Sequence, residues 1–334
     1  MTSYDNIKLE KGLYTLGKSF TEALESIDPS ENYVGTSLEG LDAFERQLKR
    51  FDIKVSGHNS DPIEKFFRTT DSAALFPEYI SRAVKQGIDD NNILNSITAT
   101  TTTIEGLDYR GLSATTDDSD TDLMIINEGT FIPETKIRTQ ENLIPLHKRG
   151  RMLTASYEAI RFQRLDIFTI ALKQIGNSIA RSQIHDAVDV LINGDGNGNA
   201  AKVLTSKTPL EYGDLVNLWM VLHPYKLSTI IASPYALREL LKLDEFKNSS
   251  SAKSFDYTGN LITPFGAEVI RFDGMPEIAM LGLDRNYALE KIQAGTVTTE
   301  FDKLIARQLE RASVTATVGF AKIFKEAAVQ MNVN

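Results

Sequence analysis

Six consecutive residues, Gly194-Asp195-Gly196-Asn197-Gly198-Asn199, carry the densest chemical pattern in the chain. Glycines alternate with side-chain oxygens, so the backbone can turn sharply while ligating atoms recur every second residue. One chemistry this could serve is pyrophosphate binding. That needs a third glycine at fixed spacing and a strand-to-helix turn, whereas here the segment follows a helical pattern. The other is calcium binding: Asp195, Asn197 and Asn199 match the first three ligand positions. The next position, which requires glycine, is Ala200, and the bidentate acid would fall on Ser206. A flexible turn closing a helix is the better account.

The four histidines, His58, His147, His185 and His223, show no H-x-x-x-H or H-E-x-x-H spacing. His185 stands beside Asp186 and reads as a polar pair on a helix. Neither a nucleophile elbow nor a phosphate-binding loop is present. The absence of cysteine removes disulfides, thiolate metal sites and cysteine nucleophiles. No catalytic residue, metal or cofactor is expected. The charge that remains concentrated is Lys148, Arg149 and Arg151 on one side, and Asp117, Asp118, Asp120 and Asp122 on the other. Exposed ion pairs contribute only about 0–1 kcal/mol each. Contacts between these groups on adjacent copies would therefore set register more than strength. Lys148, Arg149, Arg151, Asp117, Asp118 and Asp120 are the candidate inter-subunit contacts; a solvated hairpin stem is the plainer alternative.

The elements that must position them follow from hydrophobic spacing. Leu165, Phe168, Leu172, Ile175 and Ile179 recur at alternating three and four residues. Ile184, Ala187 or Val188, and Leu191 continue the stripe, predicting one helix from Glu158 to Ile192, about 50 Å long. Ser156 suits its N-cap and Asn193-Gly194 its stop, while Gly176 is a weak point costing about 1 kcal/mol against alanine. A shorter helix is expected from Phe76, with Pro77 in its first turn and Gly87 as its stop. Residues 99–152 read as a long polar hairpin with an acidic tip and a basic return. Such a ribbon is marginal alone in water and is expected to lie on a partner. Residues 1–70 are choppy, with one amphipathic stretch (Leu38, Leu41, Phe44, Leu48, Phe51), and read as an extended arm with a helix in it, a mobile terminus being the plainer alternative. Residues 206–292 alternate strands and helices: an apolar run Leu227 to Ala232, a helix capped by Ser233-Pro234, and strands flanking Asp273-Gly274. The closing segment alternates Val314, Ala316, Val318 and Phe320 as a strand.

At 334 residues with 42% hydrophobic side chains, the chain can bury a sizeable core. No run of about 18 apolar residues spans a membrane, and the start, Met1-Thr2-Ser3-Tyr4-Asp5, lacks a secretory pattern. A soluble protein made in a cytoplasm is expected. Thirty-six basic against 45 acidic side chains give a formal charge of −9. That balance disfavours nucleic-acid binding as the main task, since an acidic surface repels phosphates.

Read in order, these pieces resemble the major capsid proteins of tailed bacteriophages, with the Hong Kong 97-like fold. The resemblance rests on Phe76-Pro77-Glu78-Tyr79-Ile80-Ser81-Arg82-Ala83-Val84 and the long polar hairpin. Next, Lys148-Arg149-Gly150-Arg151-Met152-Leu153-Thr154-Ala155-Ser156-Tyr157-Glu158 enters the long helix. That helix ends at Leu191-Ile192-Asn193-Gly194-Asp195-Gly196, and the Ser233-Pro234 module and closing strand follow; the likeness covers roughly residues 70–334. It implies an α+β fold with an N-terminal arm (1–70) and an extended loop (99–152). A peripheral domain (71–98, 153–205 and 293–334) would carry a spine helix at 158–192, and an axial domain would occupy 206–292. It implies a structural protein that assembles with itself into hexamers and pentamers of an icosahedral shell around double-stranded DNA, without sequence-specific binding. A portal and a scaffold or protease would be assembly partners, a membrane would not, and the location would be the virion, assembled in host cytoplasm. The lysine–asparagine crosslink known in some members has no residues matched here. A start at Met1 carries the expectation of no N-terminal cleavage. An encapsulin-type compartment shares the fold and is the near alternative. A hydrolase using scattered carboxylates is the alternative from another class. A tail-tube subunit is disfavoured by the long helix.

Overall fold

The computed structural model describes residues 4–9, 13, 20–90, 92–114, 125, 128, 137–247, 261–304 and 309–333. The chain opens with helices α1 (Phe20–Ile27), α2 (Ala43–Arg50), α3 (Thr70–Ala73) and α4 (Phe76–Asp90). Strands β1 (Thr100–Ile104), β2 (Leu112–Ala114), β3 (Ile137–Thr139) and β4 (Leu146–Ser156) lead into α5 (Tyr157–Phe162) and α6 (Leu165–Asn193). Then come β5 (Lys202–Thr205), α7 (Tyr212–Val221), β6 (Thr229–Ala232), α8 (Pro234–Lys242) and α9 (Asp244–Lys247). Strands β7 (Leu261–Ile262), β8 (Glu268–Arg271), β9 (Ala279–Leu283), β10 (Leu289–Ala294), β11 (Thr298–Leu304), β12 (Leu309–Lys322) and β13 (Ala328–Asn332) complete the order. Two units emerge. One comprises Met1–Asn91, Lys148–Ser182 and Ala294–Thr317; the other Asn92–His147, Gln183–Gln293 and Val318–Asn334.

The first unit is built around aromatic side chains. Phe76 on α4 stacks on Phe168 of α6 at 6.1 Å, and Phe66 lies 5.4 Å from Phe76. Phe20, Leu24, Phe44, Leu48 and Ile63 join this core together with Leu165 and Leu172. From residue 20 onward, the segment expected to be an extended arm is therefore folded into the body. The reason is Arg46, wholly buried, whose guanidinium donates to Asp28 Oδ2 at 2.9 Å and to the Leu41 carbonyl at 2.7 Å, and lies over the Tyr33 ring. A buried charge is tolerated only when paired and hydrogen-bonded, and these bonds cross-tie α1, α2 and the turn between them. In this unit β11 pairs antiparallel with β12, from Thr298 opposite Thr315 to Leu304 opposite Leu309.

Two sequence expectations change here. The predicted single helix is broken: α5 ends at Phe162, Gln163 is extended, and α6 starts at Leu165. Asp61 and Ile63 capture the backbone at the break, because Leu165 N–H donates to Asp61 O and Ile63 N–H to Gln163 O. Ser156 does cap α5, accepting from Ala159 N–H at 3.2 Å. Nor does Gly87 stop α4, which runs on to Asp90. A Cβ on Gly87 would sit 2.2 Å from the Lys173 carbonyl oxygen, and one on Gly176 2.1 Å from that of Val84. The two glycines are where α4 and α6 cross at backbone contact.

The second unit centres on a six-stranded sheet, ordered β5-β13-β9-β6-β8-β7. Ile230 and Ala232 of β6 face α7 and α8 through Leu218, Leu222 and Leu240. Ile231 faces the opposite way, with Ile184, Val188 and Leu191 of α6. A strand covered on both faces is near-continuously apolar, which accounts for the run ending at Ala232, and buried Thr229 satisfies its hydroxyl by donating to Ser96 O at 3.0 Å. Ser233 caps α8, accepting from Ala236 N–H at 3.1 Å with Pro234 at the first helical position. β8 and β9, which flank Asp273-Gly274 in sequence, are not neighbours; β6 lies between them, parallel to β8 and antiparallel to β9. β10 pairs with the end of β12, Leu289 opposite Lys322, and β1 pairs with β10. On β12, Val314 and Ala316 are buried in the first unit and Val318 and Phe320 in the second, as their alternation predicts.

Candidate functional site

Within the second unit a ribbon leaves the body between β1 and β4. β2 and β3 pair antiparallel, Leu112 opposite Thr139, and Gln140 N–H donates to Gly111 O. Ile144 N–H donates to Tyr109 O, and Ile144 is buried against Ile292 and Ala321. Glu290 on β10 accepts from Tyr109 OH at 2.7 Å and from Thr102 on β1 at 2.5 Å. Burial, reinforced by the bond to the Glu290 carboxylate, pushes the Tyr109 phenol up to about 12, so it remains a donor. Among the described residues at and near this root, several large apolar side chains are open to water. Leu107 is 67% exposed, Leu112 60% and Leu143 48%, and Ile125 is 96% exposed.

The basic run lies on β4. Lys148 and Arg151 are exposed, and Arg149 is half-buried and engaged with other groups. Gly150 between them is required sterically, since a Cβ there would meet the Val314 carbonyl at 2.4 Å. Asp117, Asp118, Asp120 and Asp122 lie outside the described residues. Asp186 has a different partner from the one its sequence neighbour suggested: His147 Nδ1 is 3.3 Å from its carboxylate. Adjacent residues on a helix point in different directions, so His185 and Asp186 do not face each other.

Sequence reading missed two further apolar surfaces. In the first unit Phe162, Ile167 and Ile170 are exposed, off the buried stripe of α6. In the second, Phe265 stacks between Tyr212 and Trp219 of α7, at 5.5 and 5.8 Å, leaving Trp219 and Met220 open to solvent. The signal for α6 was available as apolar residues at positions between those of the core stripe. For Trp219 it was not, because α7 is apolar on most of its surface.

The Gly194–Asn199 turn is not loose. Gly194, Gly196 and Gly198 have φ of 86°, 93° and 72°, conformations that favour glycine, and Asp195 is buried. Among the described residues, no three histidine, aspartate or glutamate side chains gather as a metal-holding group, and no helix is long and apolar enough to cross a membrane.

A family model described as phage capsid protein matches residues 140–313. No curated protein sequence matches the chain. Among solved structures, the capsid of a native GTA particle superposes with a TM-score of 0.55 at 16% identity, covering 72% of this chain and 90% of its own. The capsid of the empty GTA particle gives 0.55 and 16%, covering 72% and 89%. A virus-like particle from Pyrococcus furiosus gives 0.48 and 14%, covering 76% and 98%.

Proposed function

The chain belongs to the phage capsid protein family and has the α+β, Hong Kong 97-like capsid fold, and from this premise we propose how it works in a tailed-phage head. It is a major capsid protein, a structural component of the virion shell. Its copies form hexamers and pentamers that close an icosahedral shell around double-stranded DNA. Residues 71–98, 153–205 and 293–334 serve as the peripheral domain, 206–292 as the axial domain, and 99–152 as the extended loop that lies on an adjacent copy. Assembly takes place in the host cytoplasm, with a portal and a scaffold or protease as partners. The protein performs no catalysis of its own.

One observation supports this reading above the rest. The β2–β3 ribbon is well anchored at its root, yet among the described residues Leu107, Leu112 and Leu143 stand exposed on a single copy. Exposing that much apolar surface opposes solubility unless another surface buries it, at about 25 cal/mol per Å². Heterologous contacts of this kind generate rings when the rotation closes. Lys148 and Arg151, exposed on β4, set register against an acidic surface, with Asp117, Asp118 and Asp120 of a neighbouring copy the proposed partners.

The test is electron microscopy of the protein expressed alone and concentrated. Closed particles or regular tubes are expected. A chain that stays monodisperse and monomeric at high concentration overturns the reading.

A further inference from the structure

The Gly194–Asn199 turn departs from the spacing of nucleotide and calcium loops, and the shell reading does not use it. It nonetheless holds a connected polar network within the second unit. Asp195, 4% exposed, accepts through Oδ2 from the backbone N–H of Lys322 at 2.9 Å. Its Oδ1 accepts from Asn197 N–H at 3.2 Å and from Asn197 Nδ2 at 3.0 Å. The same Nδ2 donates to Gln140 Oε1 at 3.0 Å, and Asn197 Oδ1 accepts from Asn142 N–H at 3.0 Å. Asn142 Nδ2 closes the ring of contacts by donating to Gly196 O at 2.8 Å. Lys322, 1% exposed, places its ammonium on the Leu191 carbonyl at 3.0 Å, in the last turn of α6. The negative end of the helix dipole favours a cation there.

Each contact on the ribbon side falls at the root. Gln140 directly follows β3, its N–H bonds to Gly111 before β2, and Asn142 stands two residues on. There is no slack in this corner: a Cβ on Gly111 would lie 2.7 Å from Gln140 Oε1, and one on Gly194 2.6 Å from Asn199 Oδ1. Three of the turn's residues need left-handed backbone to present Asp195 inward and Asn197 toward the ribbon. Glycine adopts that backbone at no steric cost, and the surrounding hydrogen bonds select it.

We infer that the Gly194–Asn199 turn is a clamp that fixes the root of the β2–β3 ribbon to the end of α6, so that the turn sets the bearing on which the ribbon meets a second copy of this chain. The inference rests on the shell reading for its consequence, but not for its geometry. Asn197 is the positioning residue that touches the ribbon, and Asp195 is the hub that holds Asn197.

Hydrogen exchange on dilute, unassembled full-length protein decides the clamp. In Asn197→Ala, exchange at the amides of Gln140, Asn142 and Ile144 should accelerate about tenfold, as expected for a local opening that loses one or two net hydrogen bonds. The β6 amides, Thr229 to Ala232, should not change. Unchanged exchange at the root overturns the clamp, and so does an equal rise over β6, which would mark general loosening. Asp195→Asn, which keeps the side-chain shape, should give a smaller rise at the same three amides and none in β6. Microscopy of the same samples reads the consequence. Wild-type shells alongside irregular or absent particles in Asn197→Ala support the inference. If Asn197→Ala with a loosened root still builds shells identical to wild type, the inference falls while the shell reading stands. If wild type builds none, the shell reading falls while exchange still decides the clamp.

Discussion

Two buried cations show how single residues hold the chain together. Arg46 is fully enclosed with Asp28, itself 2% exposed, and has Glu25 farther off at 3.7 Å, so removing Arg46 leaves the buried Asp28 carboxylate without its counter-charge. Arg46→Met is expected to destabilise by about 3–5 kcal/mol, the range for breaking a buried pair, read as a lowered urea midpoint. The double variant Arg46→Met with Asp28→Asn should recover part of that loss. Lys322 behaves differently, because burial pushes its ammonium down to about 8, against the pull of Glu326 and Asp195. Below pH 8 the lysine is charged whether folded or unfolded, and the burial penalty is fully present. Between pH 8 and the ordinary lysine value of 10.5, the folded chain sheds the proton and the unfolded chain keeps it. The unfolded state then binds more protons, so stability rises with pH across that window. The Tyr79 and Tyr109 phenols, held up to about 12, act in the opposite sense near the top of the window in both proteins, so denaturant titrations at its two ends should show wild type gaining stability relative to Lys322→Met. An equal slope in both would remove Lys322 as its source.

At the scale of elements, the crossing of α4 and α6 reverses what propensity suggests. In an isolated helix Gly176→Ala gains about 1 kcal/mol. Here the added methyl would meet the Val84 carbonyl, which belongs to backbone and cannot swing aside. Overpacking of this kind costs about 1–3 kcal/mol, and Gly87→Ala meets Lys173 in the same way. Both variants are expected to melt below wild type in calorimetry, and a melting point raised by either would place the helices further apart than described. The break before α6 is likewise a tertiary effect. The sequence Phe162-Gln163-Arg164-Leu165 contains neither glycine nor proline, yet Arg164 donates to the His58 carbonyl and to Ser60, Leu165 N–H donates to Asp61 O, and Gln163 O accepts from Ile63 N–H. Replacing Arg164 with alanine should raise helix content slightly, by circular dichroism, as the two helices merge.

For the whole molecule, assembly should follow the charge on β4. Lys148→Glu with Arg151→Glu changes two exposed side chains, so the folded chain should be retained in circular dichroism and melting while shells are lost or misshapen. Normal shells from this variant would remove the basic run from the contact. Salt gives a second measure. Between about 0.1 M and about 1 M the Debye length falls from about 10 Å to about 3 Å. If charge sets register, the assembly rate by light scattering should drop over that range, with the final shell mass less affected because apolar burial is not screened. Amides of residues 107–114 and 137–144 should gain protection in shells relative to the dilute chain, and equal protection in both would leave the ribbon without a partner surface.

Periodicity in the sequence determined the elements whose burial is one-sided or complete. The stripe Leu172, Ile175, Ile179, Ile184 and Leu191 lies buried along α6, Ser233-Pro234 opens α8, and the alternation from Val314 to Phe320 is β12, because each pattern reflects a fixed repeat of the backbone. The order of those elements was enough to reveal the family. Tertiary structure alone decided the rest. Gly87 and Gly176 read as a stop and a weak point until the helices are seen to touch, and Gln163 as helix until Ile63 takes its carbonyl. The 20–70 segment reads as an arm until Arg46 closes it. Asp195 and Asn197 read as ligands or slack turn until Gln140, 55 residues before Asp195, arrives beside them. In each instance the deciding partner is remote in sequence, and a pattern of local spacing carries no term for a group that arrives from elsewhere in the chain.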